Sequence, residues 1–149
     1  MQDLTVTLLQ TALAWHEPAA NRAHFSELLR GLPEPADLVV LPEMFTTGFT
    51  MDVRGQAETM AGPTVAWMAG LARELNVTLC GSLIVEEAGR FHNRCVWMPP
   101  DGRLVHYDKR HLFRMAGEHE HFTAGDRREI VTLKGWRICP LVCYDLRFP

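Results

Sequence analysis

The sequence predicts an α/β fold in which helices cover one face of a mixed sheet. Strand-like and helix-like segments alternate over residues 4–75, and several strand-like segments then follow one another without a helix between them. Alternation favours parallel strands joined through helices, whereas consecutive strands favour antiparallel pairing. A sheet of this kind still has one apolar face to bury against another layer.

The first four elements alternate between strand and helix. Residues 4–10 mix β-branched and apolar side chains and predict the first strand, and apolar residues at helical spacing then predict a helix that ends before Pro33. Residues 37–41 form a short apolar run, typical of a strand that is buried on both faces. Residues 48–62 are polar and predicted to be irregular, and Pro63 then opens a second helix, because proline is accepted in a first helical turn. The apolar positions that mark the helices are Phe25, Leu28, Leu29 and Leu32 in the first and Val65, Met68, Leu71, Ala72 and Leu75 in the second.

The second half of the chain consists mainly of predicted strands. Two of them flank the Asp-Gly pair at residues 101–102, which is a strong hairpin signal. Residues 109–127 are rich in histidine, glycine and charge, and connections of this length in compact domains tend to be functional. The strand-like segments are residues 77–85, 90–98, 103–107, 129–133 and 136–143.

Composition limits the class of protein. The chain has 149 residues, 47% of them apolar and 22% charged, as expected for one globular domain with its own core. The formal net charge is −3 and the basic residues are scattered, so a nucleic acid is not an expected partner. No segment approaches the roughly 18 apolar residues of a membrane span, and the N-terminus does not resemble a signal peptide. We therefore expect a cytoplasmic protein without a membrane partner.

The four cysteines are expected to be free thiols, because cytosolic thiols are normally kept reduced. They occupy positions 80, 95, 139 and 143, and none belongs to a Cys-x-x-Cys pair, so a structural zinc site is not expected. Cys80, Cys95 and Cys139 are predicted to be small core residues. Cys143 differs from them in its neighbours.

Three potentially reactive side chains, Cys143, Glu43 and Lys109, come at or just after the ends of strand-like runs. Open α/β sheets bind their ligands at strand ends. Each residue alone has an ordinary interpretation: cysteines are common in cores, most glutamates are solvated, and this lysine could pair on the surface with Asp108 or Glu118. The sequence therefore points to chemistry through the set of three, not through one of them.

Together these three side chains have the chemistry of amide hydrolysis. A thiolate attacks a carbonyl carbon, a carboxylate moves protons, and a buried ammonium stabilises an oxyanion. Pro42, Met44 and Phe45 flank Glu43 in the sequence. These apolar neighbours predict a carboxyl group that is not freely solvated and can act in acid-base catalysis. The residues predict a cysteine-dependent amide hydrolase.

Three segments carry a resemblance to a known family. Residues 41–45 (Leu-Pro-Glu-Met-Phe), 107–113 (Tyr-Asp-Lys-Arg-His-Leu-Phe) and 142–149 (Val-Cys-Tyr-Asp-Leu-Arg-Phe-Pro) resemble the catalytic motifs of the nitrilase (carbon-nitrogen hydrolase) superfamily, in the family's order. The resemblance includes Asn93 and implies an α-β-β-α sandwich with mixed sheets and helices on the outer faces. Residues 1–149 are expected to form roughly the N-terminal half to three fifths of such a domain, with the remainder absent.

The resemblance also implies roles for individual residues. Glu43 corresponds to the general base, Lys109 to the cation that stabilises the oxyanion, and Cys143 to the nucleophile. The backbone N–H of Tyr144 is a second candidate donor to the oxyanion. Many members use another glutamate after the lysine; Glu118 and Glu120 are both candidates here, and Glu118 fits the family pattern better.

Within the superfamily, residues 46–49 and 143–149 are most similar to the omega-amidase branch. That branch hydrolyses the terminal amide of 2-oxoglutaramate and 2-oxosuccinamate, which implies a small amide substrate, no cofactor or metal, and a homodimer. Such a substrate carries a carboxylate, for which Arg147 is the first candidate partner and Arg114 the second. Phe113 is predicted as a further substrate contact. Either arginine could instead form a structural ion pair.

Other interpretations stay open at the level of sequence. His111, His119 and His121 with Glu118 or Glu120 could form a metal site, although they lack the spacing of a helical zinc pair. Transfer of the acyl group to an amine or an oxygen is the nearest alternative reaction. A truncated relative without activity is a further alternative.

Overall fold

The computed structural model describes residues 2–149, and its largest element is a five-stranded mixed sheet. The first three strands run parallel to one another, the last three are antiparallel, and the spatial order follows the order along the chain. The parallel strands are connected through helices and the antiparallel ones through short turns. The strands are β1 (Val6–Leu8), β2 (Leu38–Val40), β3 (Thr78–Glu87), β4 (Arg90–Met98) and β5 (Val105–Asp108).

The first half of the chain contains three helices, α1 (Pro18–Arg30), α2 (Val53–Gln56) and α3 (Pro63–Leu75). The two long ones, α1 and α3, begin with a proline, whose missing N–H would have no partner inside the helix. They contact each other, and α3 packs on β3 and β4. The core between helices and sheet includes Phe25, Leu29, Val39, Phe45, Met68, Leu71, Leu79, Leu83 and Val96.

The opposite face of the sheet is covered by a two-stranded hairpin. Its strands, β6 (Val131–Leu133) and β7 (Trp136–Ile138), are antiparallel. The described residues therefore form successive layers of helices, sheet and sheet, in the order that an α-β-β-α sandwich requires. The apolar cluster between the hairpin and the large sheet consists of Leu38, Cys80, Cys95, Trp97, Tyr107, Val131 and Val142.

The long connection predicted to be functional contains two short elements. These are a 3-10 turn at Arg114–Ala116 and the one-turn helix α4 (Glu118–His121). A second 3-10 turn, Cys143–Arg147, follows β7. Within residues 2–149, none of the helices has the length and apolar character that crossing a membrane requires.

Several predicted boundaries are wrong. The strand predicted over residues 136–143 ends at Ile138, because Pro140 has no backbone N–H to donate to a ladder, and Cys143 lies on a turn. The strands predicted over residues 4–10 and 129–133 shorten to β1 and β6. The segment 48–62, predicted to be irregular, contains α2, whose first turn is capped by the Asp52 carboxylate.

All four cysteines are free thiols. Cys80 and Cys95 are buried, with their sulfur atoms 3.5 Å apart, as expected for core residues. The same prediction is wrong for Cys139, which is half-buried, because the chain leaves the hairpin just before it. Cys143 is exposed.

Candidate active site

The backbone brings distant segments to one end of the sheet. The loop that follows β2 crosses β3, where the Met44 N–H donates to Ser82 Oγ at 2.9 Å and so places Glu43. Lys109 directly follows β5, and its N–H donates to the Asn93 carbonyl at 3.0 Å, which continues the pairing with β4. Side chains from the Glu43 loop, from β4 and from the end of β5 therefore meet at this end of the sheet.

Lys109 connects two carboxylates. Its Nζ lies 2.7 Å from Glu43 Oε1 and 2.9 Å from Glu118 Oε2. The side chains of Lys109 and Glu118 are fully buried, and that of Glu43 is 19% exposed. Burial alone would lower the pKa of Lys109, but the hydrogen bonds and charges of Glu118 and Glu43 outweigh burial and raise it. The lysine is therefore an ammonium at neutral pH.

Glu118 is the glutamate of the long connection that reaches this lysine. Its carboxylate accepts hydrogen bonds from Lys109 Nζ, from Asn93 Nδ2 at 3.0 Å and from the Phe113 N–H at 2.6 Å. The Glu120 side chain is 69% exposed and contacts His119. Of the two candidates, Glu118 is thus placed to orient Lys109.

The Cys143 thiol belongs to a strained turn. Cys143 has a φ of 44°, which is unfavourable for a residue with a side chain, and strain of this kind clusters at functional sites. Cys143 is exposed as a residue, but partial burial of its sulfur and the negative charge of Glu43 raise the pKa of the thiol, against the smaller opposing effect of the Lys109 charge. At neutral pH the sulfur therefore holds its proton, and attack on a carbonyl needs a base; Glu43 is the neighbouring carboxylate whose charge acts on the thiol.

A buried carboxylate ties this turn to the lysine segment. Asp145 is 1% exposed and accepts hydrogen bonds from the Tyr107 hydroxyl at 2.8 Å, the Val142 N–H at 3.1 Å and the His111 N–H at 2.9 Å. His111 Nδ1 lies 2.8 Å from the same carboxylate. Asp145 thus connects the Cys143 turn with the segment on both sides of Lys109.

Sequence reasoning did not assign a function to Asp145 or Asn93. Asp145 lies within one of the three segments that carry the family resemblance, and the resemblance also includes Asn93, so the resemblance was the available signal. Their partners, however, are far away in the chain: Asn93 bonds to Glu43 across 50 positions, and Asp145 to Tyr107 across 38. No local pattern indicates such pairs.

An open cavity of about 700 Å³ lies beside the thiol. The predicted substrate contacts Phe113 and Arg147 line it together with Cys143 and Tyr144. Arg114 lines a neighbouring cavity that Cys143 does not reach. A volume of this size suits a small-molecule ligand.

The alternative metal site is not assembled. His111 faces Asp145, and Glu118 is directed at Lys109. Between residues 2 and 149, no three side chains of the metal-ligating types converge on a common point.

The fold and the site define a class of protein: an α/β chain in which a buried carboxylate-lysine-carboxylate cluster lies beside a strained, accessible thiol. Residues 5–149 match the family model of the carbon-nitrogen hydrolases. The chain belongs to this family, and the fold class predicted from the resemblance is confirmed.

Three relatives illustrate the similarity. Omega-amidase YafV of Escherichia coli is 47% identical over 150 residues, which cover 100% of this chain and 57% of that protein. The 2-oxoglutaramate amidase of Bacillus subtilis is 28% identical over 148 residues, covering 97% of this chain and 57% of the relative. A solved CN-hydrolase superfamily protein of Xanthomonas campestris, with an arsenic adduct in its active site, has a TM-score of 0.96 at 48% identity, covering 100% and 56% of the two chains. This chain thus spans little more than half the length of these relatives.

Proposed function

We propose that this chain carries the active site of an omega-amidase-like enzyme, which releases ammonia from the terminal carboxamide of a small 2-oxo acid amide such as 2-oxoglutaramate or 2-oxosuccinamate. The observation that carries the proposal is the contact of Lys109 with both Glu43 and Glu118, next to the Cys143 thiol. The similarity to omega-amidase YafV and to the 2-oxoglutaramate amidase supports the substrate class.

In the first half-reaction Glu43 removes the proton from the Cys143 thiol, and the thiolate attacks the amide carbon. The oxyanion that forms is held by the Lys109 ammonium and by the Tyr144 N–H, since the first N–H groups of a helical turn have no acceptor within it. Glu43 then transfers the proton to the leaving nitrogen. The carbon–nitrogen bond breaks, and ammonia and a thioester remain.

The second half-reaction uses the same carboxylate. Glu43 removes a proton from water, the hydroxide attacks the thioester carbon, and the carbon–sulfur bond breaks as the carboxylic acid product forms. The proton returns to the sulfur, so that the thiol is restored. Glu118 keeps Lys109 in place through both steps, because both of its carboxylate oxygens accept hydrogen bonds from the ammonium.

The far end of the substrate requires a cation. Arg147 lines the cavity beside Cys143, and a guanidinium can bind a carboxylate through two parallel hydrogen bonds. Phe113 offers an apolar wall for the carbon chain. Arg147 is therefore proposed to hold the substrate carboxylate, with Phe113 beside it.

Two further proposals concern the protein in the cell. The four free thiols favour a reducing compartment, so we propose a cytoplasmic location. The family resemblance implies a homodimer. Sedimentation velocity would test this by measuring the mass of the protein in solution.

The test is ammonia release from 2-oxoglutaramate by the purified chain, measured beside a panel of amides that lack the substrate carboxylate. Cys143→Ala is expected to reduce turnover by more than about a thousandfold, because the nucleophile is lost. Cys139→Ala is the matched control and is expected to retain turnover, since Cys139 does not line the cavity beside Cys143.

Two results would contradict the proposal. One is turnover that survives Cys143→Ala. The other is a folded chain that releases no ammonia from 2-oxoglutaramate or from any amide of the panel. Hydroxylamine added to the assay traps the proposed thioester as the hydroxamate, and the acid that forms in its absence measures hydrolysis.

A further inference from the structure

Asn93 makes two hydrogen bonds at the centre of the site. It lies in β4 and is 1% exposed. Its Nδ2 donates to Glu43 Oε1 at 2.7 Å and to Glu118 Oε1 at 3.0 Å. An amide nitrogen carries two hydrogens, so both are used on carboxylates. The opposite amide orientation would place a carbonyl oxygen against two carboxylate oxygens, which is repulsive.

The other end of the same amide is unpaired. Asn93 Oδ1 is buried, and no donor of residues 2–149 reaches it. A buried acceptor without a partner is unfavourable by about 1–3 kcal/mol. The unpaired Oδ1 makes this position energetically unfavourable for an asparagine that only supports the fold.

Asn21 shows the usual alternative. It is also 1% exposed, but its Oδ1 accepts from the Ala14 N–H at 2.8 Å and its Nδ2 donates to the Ala14 and Thr46 carbonyls at 2.7 Å each. The amide thus satisfies backbone groups at both ends, as structural asparagines do. The contrast indicates that Asn93 is present for its two donors.

The charges explain what these donors do. Two carboxylates, Glu43 and Glu118, share one ammonium, Lys109, in a largely buried place. The Cys143 thiol faces the same groups from the 3-10 turn. On the opposite side of β4, Arg94 is paired with Asp108, and His92 lies 3.6 Å from that carboxylate, so they do not compensate the excess negative charge. The two N–H groups of Asn93 are further donors that these two carboxylates share.

We propose that Asn93 is a positioning residue, whose amide keeps Glu43 and Glu118 ionised and aligned on Lys109. The inference rests on the proposed function in taking Glu43 as the base for the Cys143 thiol. Loss of the amide makes the carboxylates easier to protonate, so that the base becomes available only at higher pH.

The experiment compares Asn93→Leu with Asn21→Leu, the same substitution at two equally buried asparagines. The rate of Cys143 alkylation by iodoacetamide is measured against pH in a Cys139→Ser background, with mass spectrometry to identify the modified residue. This readout requires no substrate turnover. The kcat/KM for ammonia release is measured over the same pH range.

In Asn93→Leu the acid limb of the alkylation profile is expected to move to higher pH by about one unit, which corresponds to the loss of one charge-assisted hydrogen bond. At pH values below the limb, alkylation is then about tenfold slower than in the parent chain. Asn21→Leu is expected to lower the melting temperature and leave the limb in place. Asn93→Ala gives the same comparison if the leucine variant does not fold.

The outcomes distinguish the two proposals. An alkylation limb that is the same in folded Asn93 variants and in the parent chain overturns the role of Asn93, whatever the turnover. A limb that moves while no amide is turned over supports Asn93 and contradicts the amidase assignment. If the alkylation limb moves equally in Asn21→Leu, the role of Asn93 is also overturned, because the effect would then come from general destabilisation.

Discussion

Lys109 shows how one buried residue makes the site dependent on its partners. A buried ammonium is tolerated only when opposite charges and hydrogen bonds replace its hydration. Glu43 and Glu118 supply both. In the proposed mechanism Glu43 also gains and loses protons. Glu118 is therefore the carboxylate that stays paired with the ammonium throughout the reaction. Substitution of Glu118 should therefore impair the function of Lys109, although Glu118 belongs to a loop with exposed residues.

Glu118→Gln is expected to reduce kcat for ammonia release by roughly 10- to 100-fold, the equivalent of one charge-assisted hydrogen bond. The amide side chain keeps the shape of the glutamate but removes the charge that holds Lys109. Glu120→Gln is the matched control two residues later; its side chain is 69% exposed, so kcat should not change. Steady-state kinetics of both variants, with thermal melts as a folding check, decide the matter. Equal effects of the two substitutions would contradict the assignment of Glu118.

Among the elements, the 3-10 turn Cys143–Arg147 depends most on one side chain. Burial by itself would raise the pKa of Asp145, but the hydrogen bonds from Tyr107, Val142 and His111 outweigh burial and lower it. A carboxylate whose folded pKa is lowered stabilises the fold above its unfolded pKa of about 3.9. That stabilisation is lost as the pH falls from there through the folded pKa.

Asp145→Asn is expected to lower the free energy of unfolding by about 1–3 kcal/mol at neutral pH, because buried donors then face a weaker acceptor. The difference from the parent chain should persist down to about pH 4 and shrink below it, where the carboxylate of the parent chain becomes protonated. Urea unfolding at several pH values measures this. Tyr107→Phe removes one of the donors and should give a smaller loss; an Asp145→Asn variant as stable as the parent at neutral pH would refute the anchoring role.

The elements also show what the sequence could predict. Local signals were sufficient for α3, which begins at Pro63 as predicted, and for β4, which spans Arg90–Met98 as predicted. The strand expected over residues 136–143 failed because apolar periodicity took no account of Pro140. Continuous apolar character did not indicate burial here either, because Val142 is buried but Leu141 is 46% exposed.

The site was predictable only where the family resemblance reached. Glu43, Lys109 and Cys143 lie in motifs that resemble known ones, and the structure brings all three together. The contacts of Asn93 and Asp145 depend on strand register and on the path of a turn, which follow from tertiary packing. These two residues could not be assigned a partner before the fold was known.

For the whole molecule, the important feature is that the sheet has two different coverings. The helical side is built on α1 and α3, of 13 residues each, whereas the hairpin side is built on two strands of three residues. A layer with few backbone hydrogen bonds opens more easily than one with many. Cys80 and Cys95 lie beneath the hairpin and report on its opening.

Val131→Ala and Val65→Ala compare the two coverings directly. The two valines are 7% and 6% exposed, on the hairpin side and the helical side of the sheet respectively. Each substitution is expected to lower the free energy of unfolding by about 1–3 kcal/mol, because methyl groups are removed from a packed core. In Val131→Ala the native-state labelling of Cys80 and Cys95 by a thiol reagent should accelerate more than in Val65→Ala, since the hairpin can open without global unfolding. Equal acceleration in the two variants would mean that these thiols react only through the globally unfolded chain, and that the hairpin and the helical layer open as one cooperative unit.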